Sequence, residues 1–250
     1  MSPTDELSPI LKKLRLMGLV TSLDIRSRQA VEDNLSYEEF LLRLFCDEME
    51  RREAKHLKSR LNKAAFEHAK TMEDFDFSFN PKIPKSKVVD LSTCNFIAKH
   101  ENVLLVGPAG VGKSHIAQSI GHRACLTGYS AIYTTAQKLF INLKASLADN
   151  SYERVITKYV KTNLLIIDDL GLRPLRDTEP DDLHDLIRRR YENGSTIVTS
   201  NRSVEEWYPL FLNPLLASAA MDRLLHHVHI IELNGRSYRT SKKPPRKRKK

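Results

Sequence analysis

Gly107-Pro108-Ala109-Gly110-Val111-Gly112-Lys113-Ser114 has the G-x-x-x-x-G-K-[ST] spacing of a phosphate-binding loop, and its flanks decide how to read it. Before it, Asn102-Val103-Leu104-Leu105-Val106 is short, apolar and β-branched, which predicts a buried parallel strand. After it, Ile116, Ile120 and Ala124 recur every four residues with Gln118, Ser119, His122 and Arg123 between them, which predicts a helix with one apolar face. A glycine turn ahead of an ordinary helix needs none of this order. Gly110 and Gly112 free the backbone so that successive N–H groups converge on phosphate oxygens, and the helix adds its positive N-terminus. In such a loop the lysine, here Lys113, reaches the β- and γ-phosphates, and the serine, here Ser114, holds Mg²⁺.

Further along the chain, Leu164-Leu165-Ile166-Ile167 reads as a strand buried on both faces and ends in Asp168-Asp169. Open α/β sheets bind ligands at the carboxyl ends of their strands, so this pair belongs with the phosphate loop. We assign Asp168 to the metal and Asp169 to the attacking water. Ala131–Thr135, Thr196–Ser200 and Val228–Leu233 complete five predicted strands, and Asn201 stands at the end of one of them. Between strands, 136–161 is helical and mildly basic, broken at Ala148-Asp149-Asn150-Ser151. Asp181 to Asn193 forms another helix, closed by Asn193-Gly194. Ser203 with Glu206 makes a capping box, and Asn213-Pro214 opens a helix to Leu225 that carries Arg223 near its end. His226, His227 and His229 do not form a metal set, because no acid or cysteine joins the two that share a strand face.

Residues 1–70 read as a small all-helical region. Ile10, Leu11, Leu14 and Met17 share a helical face, with Gly18 as the expected stop. Ser36 and Glu39 give a capping box ahead of a helix whose later part, from Glu48 to Lys70, is strongly charged. A solvated helix face accounts for that charge as readily as a partner does. Phe75, Phe77 and Phe79, then Asn80-Pro81 and Pro84, mark a change to extended chain, and these aromatics either border a nucleotide base or pack between domains. Val88, Val89 and Leu91 then lead into a helix ending near Ala98.

The chain has 250 residues, 41% hydrophobic, with no apolar run long enough to span a membrane and an acidic start unlike a secretion signal. Cys46, Cys94 and Cys125 are scattered, as expected of buried thiols in a reducing cytoplasm. The net charge of +9 belongs to the C-terminus. Residues 236–250 hold nine Lys or Arg and no acid, and the other 31 cations balance 31 acids. A tail of this kind, with Pro244-Pro245, is expected to be disordered and to attract polyanions in a salt-sensitive way.

These motifs together are specific. The phosphate loop, Leu164-Leu165-Ile166-Ile167-Asp168-Asp169-Leu170-Gly171, the polar residue after Thr196–Ser200, and Met221-Asp222-Arg223 resemble the AAA+ ATPases of the initiator clade. Within that clade the chain is most similar to the DnaC/IstB group, above all the IstB-like helper ATPases encoded with transposases in bacterial insertion sequences. Leu11–Gly18, Leu35–Glu39, Gly128-Tyr129, Ser195–Ser200 and Ile231–Gly235 extend the likeness over almost the whole chain.

The resemblance implies an AAA+ fold with a five-stranded parallel sheet after a helical N-terminal domain. Its expected boundaries are 1–70 for the interaction domain, 71–240 for the ATPase, and 241–250 for the basic tail. It implies Walker A at Gly107–Ser114 and Walker B at Asp168 and Asp169, the latter one methylene shorter than the Glu of many relatives. It makes Asn201 sensor I, Arg223 an arginine finger acting on a neighbouring subunit, and Arg239, rather than Arg236, sensor II. Residues 136–161 become the clade's helical insertion, with Lys138, Lys144, Arg154 and Lys158 facing DNA. ATP with Mg²⁺, duplex DNA, a cognate transposase and further copies of the chain, in a bacterial cytoplasm, are the implied cofactors and partners. A DnaC-type replicative helicase loader shares every ATPase residue and is the alternative. A small-molecule P-loop kinase is a more distant one, and it requires a complete pocket in each monomer.

Overall fold

The computed structural model describes residues 3–68 and 70–241. The chain divides into two compact units between Ser59 and Arg60.

The first unit is helical: α1 (Pro3–Lys13), α2 (Met17–Glu32) and most of α3 (Tyr37–Ala64). Its core is small, with Leu19, Leu23 and Leu44 buried and Leu11, Leu16 and Phe40 packed against them. The capping box forms as the spacing predicts. The Ser36 amide donates to the Glu39 carboxylate at 2.9 Å, and the Glu39 amide donates to Ser36 Oγ at 3.2 Å.

Gly18 is not a helix stop. The first helix ends at Lys13, Arg15 takes φ 59°, and Gly18 lies in the first turn of α2. A Cβ there would sit 2.7 Å from the Glu48 backbone, so glycine is needed for two helices to touch rather than for a turn. Cys46 is exposed on α3, unlike the buried Cys94 and Cys125. No Gly or Pro interrupts 37–64, so one helix runs through the division and its last turn, from Arg60, belongs to the second unit.

Glu48 is buried in the first unit and ion-paired to Arg51 at 2.8 Å and Arg52 at 2.6 Å, and it also accepts the Gly18 amide. Arg51 foremost, with Arg52 and that amide, holds its carboxyl at about 2, below the ordinary 4.5. A depressed folded-state value gives stability that is complete above the unfolded pKa and is lost as pH falls through the folded one. Amide hydrogen exchange at Gly18–Leu23 should therefore quicken as pH drops from about 4.5 towards 2, beyond the intrinsic pH effect, and Glu48→Gln should abolish that excess.

The second unit is a doubly covered parallel sheet. Two short helices, α4 (Lys85–Leu91) and α5 (Asn95–Ala98), replace the single one expected over 88–98, because Cys94 between them takes φ 64°. Then come β1 (Asn102–Val106), α6 (Lys113–Leu126), β2 (Ala131–Thr135), α7 (Ala136–Ala148), α8 (Tyr152–Val160), β3 (Leu164–Asp168), α9 (Glu179–Arg190), β4 (Ser195–Ser200), α10 (Pro214–Leu225), β5 (Val228–Glu232) and α11 (Tyr238–Ser241). Spatial order is β2-β3-β4-β1-β5, and every pairing is parallel. β3 and β4 are buried at every residue; with both faces covered, β3 carries the apolar run Leu164–Ile167, and β4 has Ile197 and Val198 at its centre between buried hydroxyl residues. Ile132, Leu165, Ile167, Leu104 and Val198 meet α7, α8, α9 and α10 on one face. Their alternates point to the other, where Gly121 of α6 lies against Ile166.

Other local expectations are met or shifted. Asn213 caps α10 through its side-chain oxygen. Ser203 donates its amide to Glu206 at 2.8 Å, and Glu205–Leu210 winds as a 3₁₀ turn. α9 runs Glu179–Arg190 rather than 181–193, and Glu192 at φ 60° comes just after its end. Its last residue, Arg190, is a buried cation that no motif signalled. It donates to the carbonyls of Tyr159 and Thr162 at 2.6 and 2.9 Å and to Thr196 Oγ1 at 3.0 Å, tying the end of α8 to the start of β4.

Candidate nucleotide-binding site

The sheet order explains why distant residues meet. β4 lies between the strand that precedes the phosphate loop and the strand that ends in the acid pair, so all three deliver their carboxyl ends to one place. Gly107, Gly110 and Gly112 take φ of 143°, 83° and 110°. At Gly110 a Cβ would also fall 2.2 Å from Ser237 Oγ, because the segment after β5 lies across the loop. There the Tyr238 amide donates to the Gly110 carbonyl at 3.0 Å. Asn80, just upstream of the domain's first helix, holds the same returning segment through both the amide and the carbonyl of Arg236, each at 3.0 Å.

Lys113 is buried and its Nζ donates to the carbonyls of Gly107 and Pro108 at 2.7 and 2.8 Å. Burial pushes its pKa down, against the pull of Asp169 and Asp168. Asp168 is 3% exposed and its carboxylate is surrounded by hydroxyls. Ser114 Oγ donates to Oδ1 at 2.9 Å, Thr199 Oγ1 donates to the same oxygen, and Tyr133 donates to Oδ2 at 2.7 Å. Asp169, at φ 58°, turns away from the strand line, with its amide donating to Thr199 Oγ1 at 3.0 Å. Burial, then the neighbouring Asp168, raises its pKa, opposed by Lys113 and Arg239.

A cavity of about 410 Å³ lies over the loop. Asp169, Asn201 and Arg239 line it together with Phe75, Phe79 and Tyr238. Phe75 stands edge-on to His115, with ring centroids 5.2 Å apart, and Phe79 edge-on to Tyr238 at 5.0 Å. Walker A, the two acids, Asn201 and Arg239 are therefore brought together. Phosphate-cradling amides, a lysine and an aromatic-bordered hollow fit a nucleoside triphosphate. Ser114 and Asp168 offer oxygen ligands only, the donor set of a hard cation such as Mg²⁺.

Other expected residues lie elsewhere. Arg223 borders a separate hollow of about 240 Å³ with Asn102, Gly194 and Thr196, at the amino-terminal edge of the sheet. It donates to the Ala219 carbonyl at 2.7 Å. Lys138, Lys144, Arg154 and Lys158 are exposed on α7 and α8, and none lines the cavity over the loop. Lys144 pairs with Asp177 at 2.8 Å, an exposed contact of little energetic weight. The basic tail from 242 onward lies outside the described residues. Sequence reasoning missed Tyr133 and Thr199. A signal existed for Thr199, since the parallel register that pairs Ile167 with Val198 sets the next residue of β4 beside Asp168.

A parallel 2-3-4-1-5 sheet, a phosphate loop after the first strand and acids after the third define a P-loop nucleotide-binding protein with the AAA+ fold. More particularly, the chain belongs to the IstB-like ATP binding protein family, whose profile matches residues 9–245. It is 39% identical over 237 residues to an insertion-sequence ATP-binding protein of Mycobacterium tuberculosis, covering 94% of both chains. It is 34% identical over 238 residues to the IS21 insertion-sequence ATP-binding protein of Pseudomonas aeruginosa, covering 95% of this chain and 90% of the other. The crystal structure of DnaI shares the fold, with a TM-score of 0.57 and 23% identity over 66% of this chain and 92% of DnaI. No helix among the described residues is long and apolar enough to cross a membrane.

Proposed function

We propose that this protein is a DNA-binding ATPase that assembles on duplex DNA in the ATP state, recruits the transposase of its insertion sequence, and disassembles on hydrolysis. One observation carries this reading: within a single chain Arg223 is at the opposite edge of the sheet from Lys113 and Asp168. An arginine so placed reaches a γ-phosphate only when it comes from another copy, so hydrolysis and assembly become one event.

In this reading the loop amides and Lys113 hold the triphosphate, and Ser114 and Asp168 hold Mg²⁺, which neutralises charge on the β- and γ-oxygens. Asp169 faces the cavity with a raised pKa and accepts a proton from the attacking water, while Asn201 orients that water. Arg239 approaches the same phosphate in cis. Phe75, Phe79 and Tyr238 border the base. Lys138, Arg154 and Lys158 contact phosphates of duplex DNA with little base reading, and Lys144 joins them on leaving Asp177.

Mass photometry of the full chain with a non-hydrolysable ATP analogue and duplex DNA should show multimers that are absent without nucleotide. A species that stays single-copy under those conditions, yet hydrolyses ATP at full rate, would overturn the reading and favour a self-contained P-loop enzyme. Capture by a replicative helicase in place of the cognate transposase would point to the loader alternative.

A further inference from the structure

The phosphate loop, the acid pair and the cavity residues leave one contact of the site unexplained. Tyr133 is on β2, at the edge of the sheet and separated by β3 and β4 from the strand that precedes the phosphate loop, yet its hydroxyl donates to the acid assigned to the metal. The strand register sets Thr135, not Tyr133, beside Asp168. Tyr133 and Thr135 share a face, and only a long, rigid side chain spans the diagonal from the position two residues earlier.

The arrangement around Asp168 is asymmetric. Ser114 and Thr199 both donate to Oδ1, whereas among the hydrogen bonds to this acid Oδ2 receives Tyr133. The Oδ1 donors sit on α6 and β4 and the Oδ2 donor on β2, so the carboxylate is gripped from both neighbouring strands and its plane is set. A buried tyrosine needs some acceptor for its hydroxyl. Here the acceptor is a nearly inaccessible carboxylate whose other oxygen touches the loop serine. Tyr133 is itself 5% exposed, with the Phe66 ring 6.5 Å away, so it has little room to leave. Outer partners that orient a metal-ligating group typically change metal affinity by 10–100-fold when removed.

We infer that Tyr133 is a positioning residue for the metal-holding acid: its hydroxyl fixes the Asp168 carboxylate from β2 and thereby sets the affinity of the nucleotide site for its divalent cation. This rests on the assignment of Asp168 to Mg²⁺. Loss of the hydroxyl leaves Oδ2 buried without that donor and lets the carboxylate plane rotate, so Mg²⁺ no longer meets a pre-set ligand. Nucleotide contacts that do not involve the cation stay as they are.

The test is binding, not turnover. Full-length wild type and Tyr133→Phe are titrated with a fluorescent ATP analogue, in EDTA and across a Mg²⁺ series, with melting temperatures measured alongside. The affinity in EDTA should agree within about twofold, while the Mg²⁺ concentration giving half of the metal-dependent tightening should rise about tenfold. Phe66→Leu, which changes the packing beside the ring but no hydroxyl, should leave that midpoint unchanged. The inference is overturned if Tyr133→Phe keeps the wild-type midpoint, if it loses affinity equally with and without Mg²⁺, or if Phe66→Leu shifts the midpoint as far. Asp168→Asn separates this from the underlying assignment. Should that variant retain the wild-type response to Mg²⁺, the acid is not the metal ligand and the reading beneath fails first.

Discussion

Lys113→Ala is expected to lower ATP affinity on the order of a hundredfold, through loss of charge-assisted bonds worth roughly 3 kcal/mol, and to abolish nucleotide-dependent assembly. Nζ is buried against the carbonyls of Gly107 and Pro108, at a distance from them that suits a cation held ready for phosphate. Its charge also opposes the rise in the pKa of Asp169. The alanine variant therefore loses the phosphate contact and moves Asp169 further towards its neutral form, which is the wrong form for accepting a proton. Isothermal calorimetry reads the loss of affinity, and mass photometry the loss of assembly. Wild-type affinity in this variant would mean that the loop does not bind the nucleotide through its lysine.

The second large effect separates binding from hydrolysis. Arg223→Ala should keep ATP affinity within about twofold and lose hydrolysis by about a thousandfold, the low end for removal of an arginine finger. The substitution lies outside the cavity over the loop, so the cis contacts survive. Mixing gives a sharper readout. A Lys113→Ala copy still carries Arg223, and an Arg223→Ala copy still carries an intact loop, so the two inactive variants together should recover part of the wild-type rate wherever they meet in the right order. Wild-type hydrolysis by purified Arg223→Ala, or no recovery on mixing at any ratio, would refute action in trans.

Much of the nucleotide site was legible because its parts are local. The phosphate loop is eight consecutive residues whose spacing is set by backbone geometry around an anion. Val103–Val106 of β1 and Leu164–Ile167 of β3 are apolar runs because both faces of the sheet are covered. Asp168, Asp169 and Asn201 could be placed because strand ends in a parallel sheet converge on one edge. Caps were legible for the same reason: Ser36 with Glu39, and Asn213 with the amides of Leu215 and Leu216, are contacts within one turn.

Where the expectation failed, the deciding contact came from far along the chain. Gly18 reads as a stop by composition, but its glycine is required by Glu48, thirty residues later. Cys46 is exposed although cysteine favours interiors. Arg190 looks like one more cation in Arg188-Arg189-Arg190, yet it alone is buried and capped by carbonyls.

The amino-acid sequence by itself determined the phosphate loop, the acid-ended strand, the parallel α/β class and the kinship with insertion-sequence ATP-binding proteins. All of these rest on short-range spacing and periodicity. Only the tertiary structure decided that three hydroxyls from α6, β2 and β4 surround Asp168, that Arg239 joins the nucleotide cavity while Arg223 lies at the opposite edge of the sheet, and that the returning segment crosses Gly110. Those facts depend on which strands become neighbours. Strand order is a property of the whole packed sheet, and no local pattern encodes it.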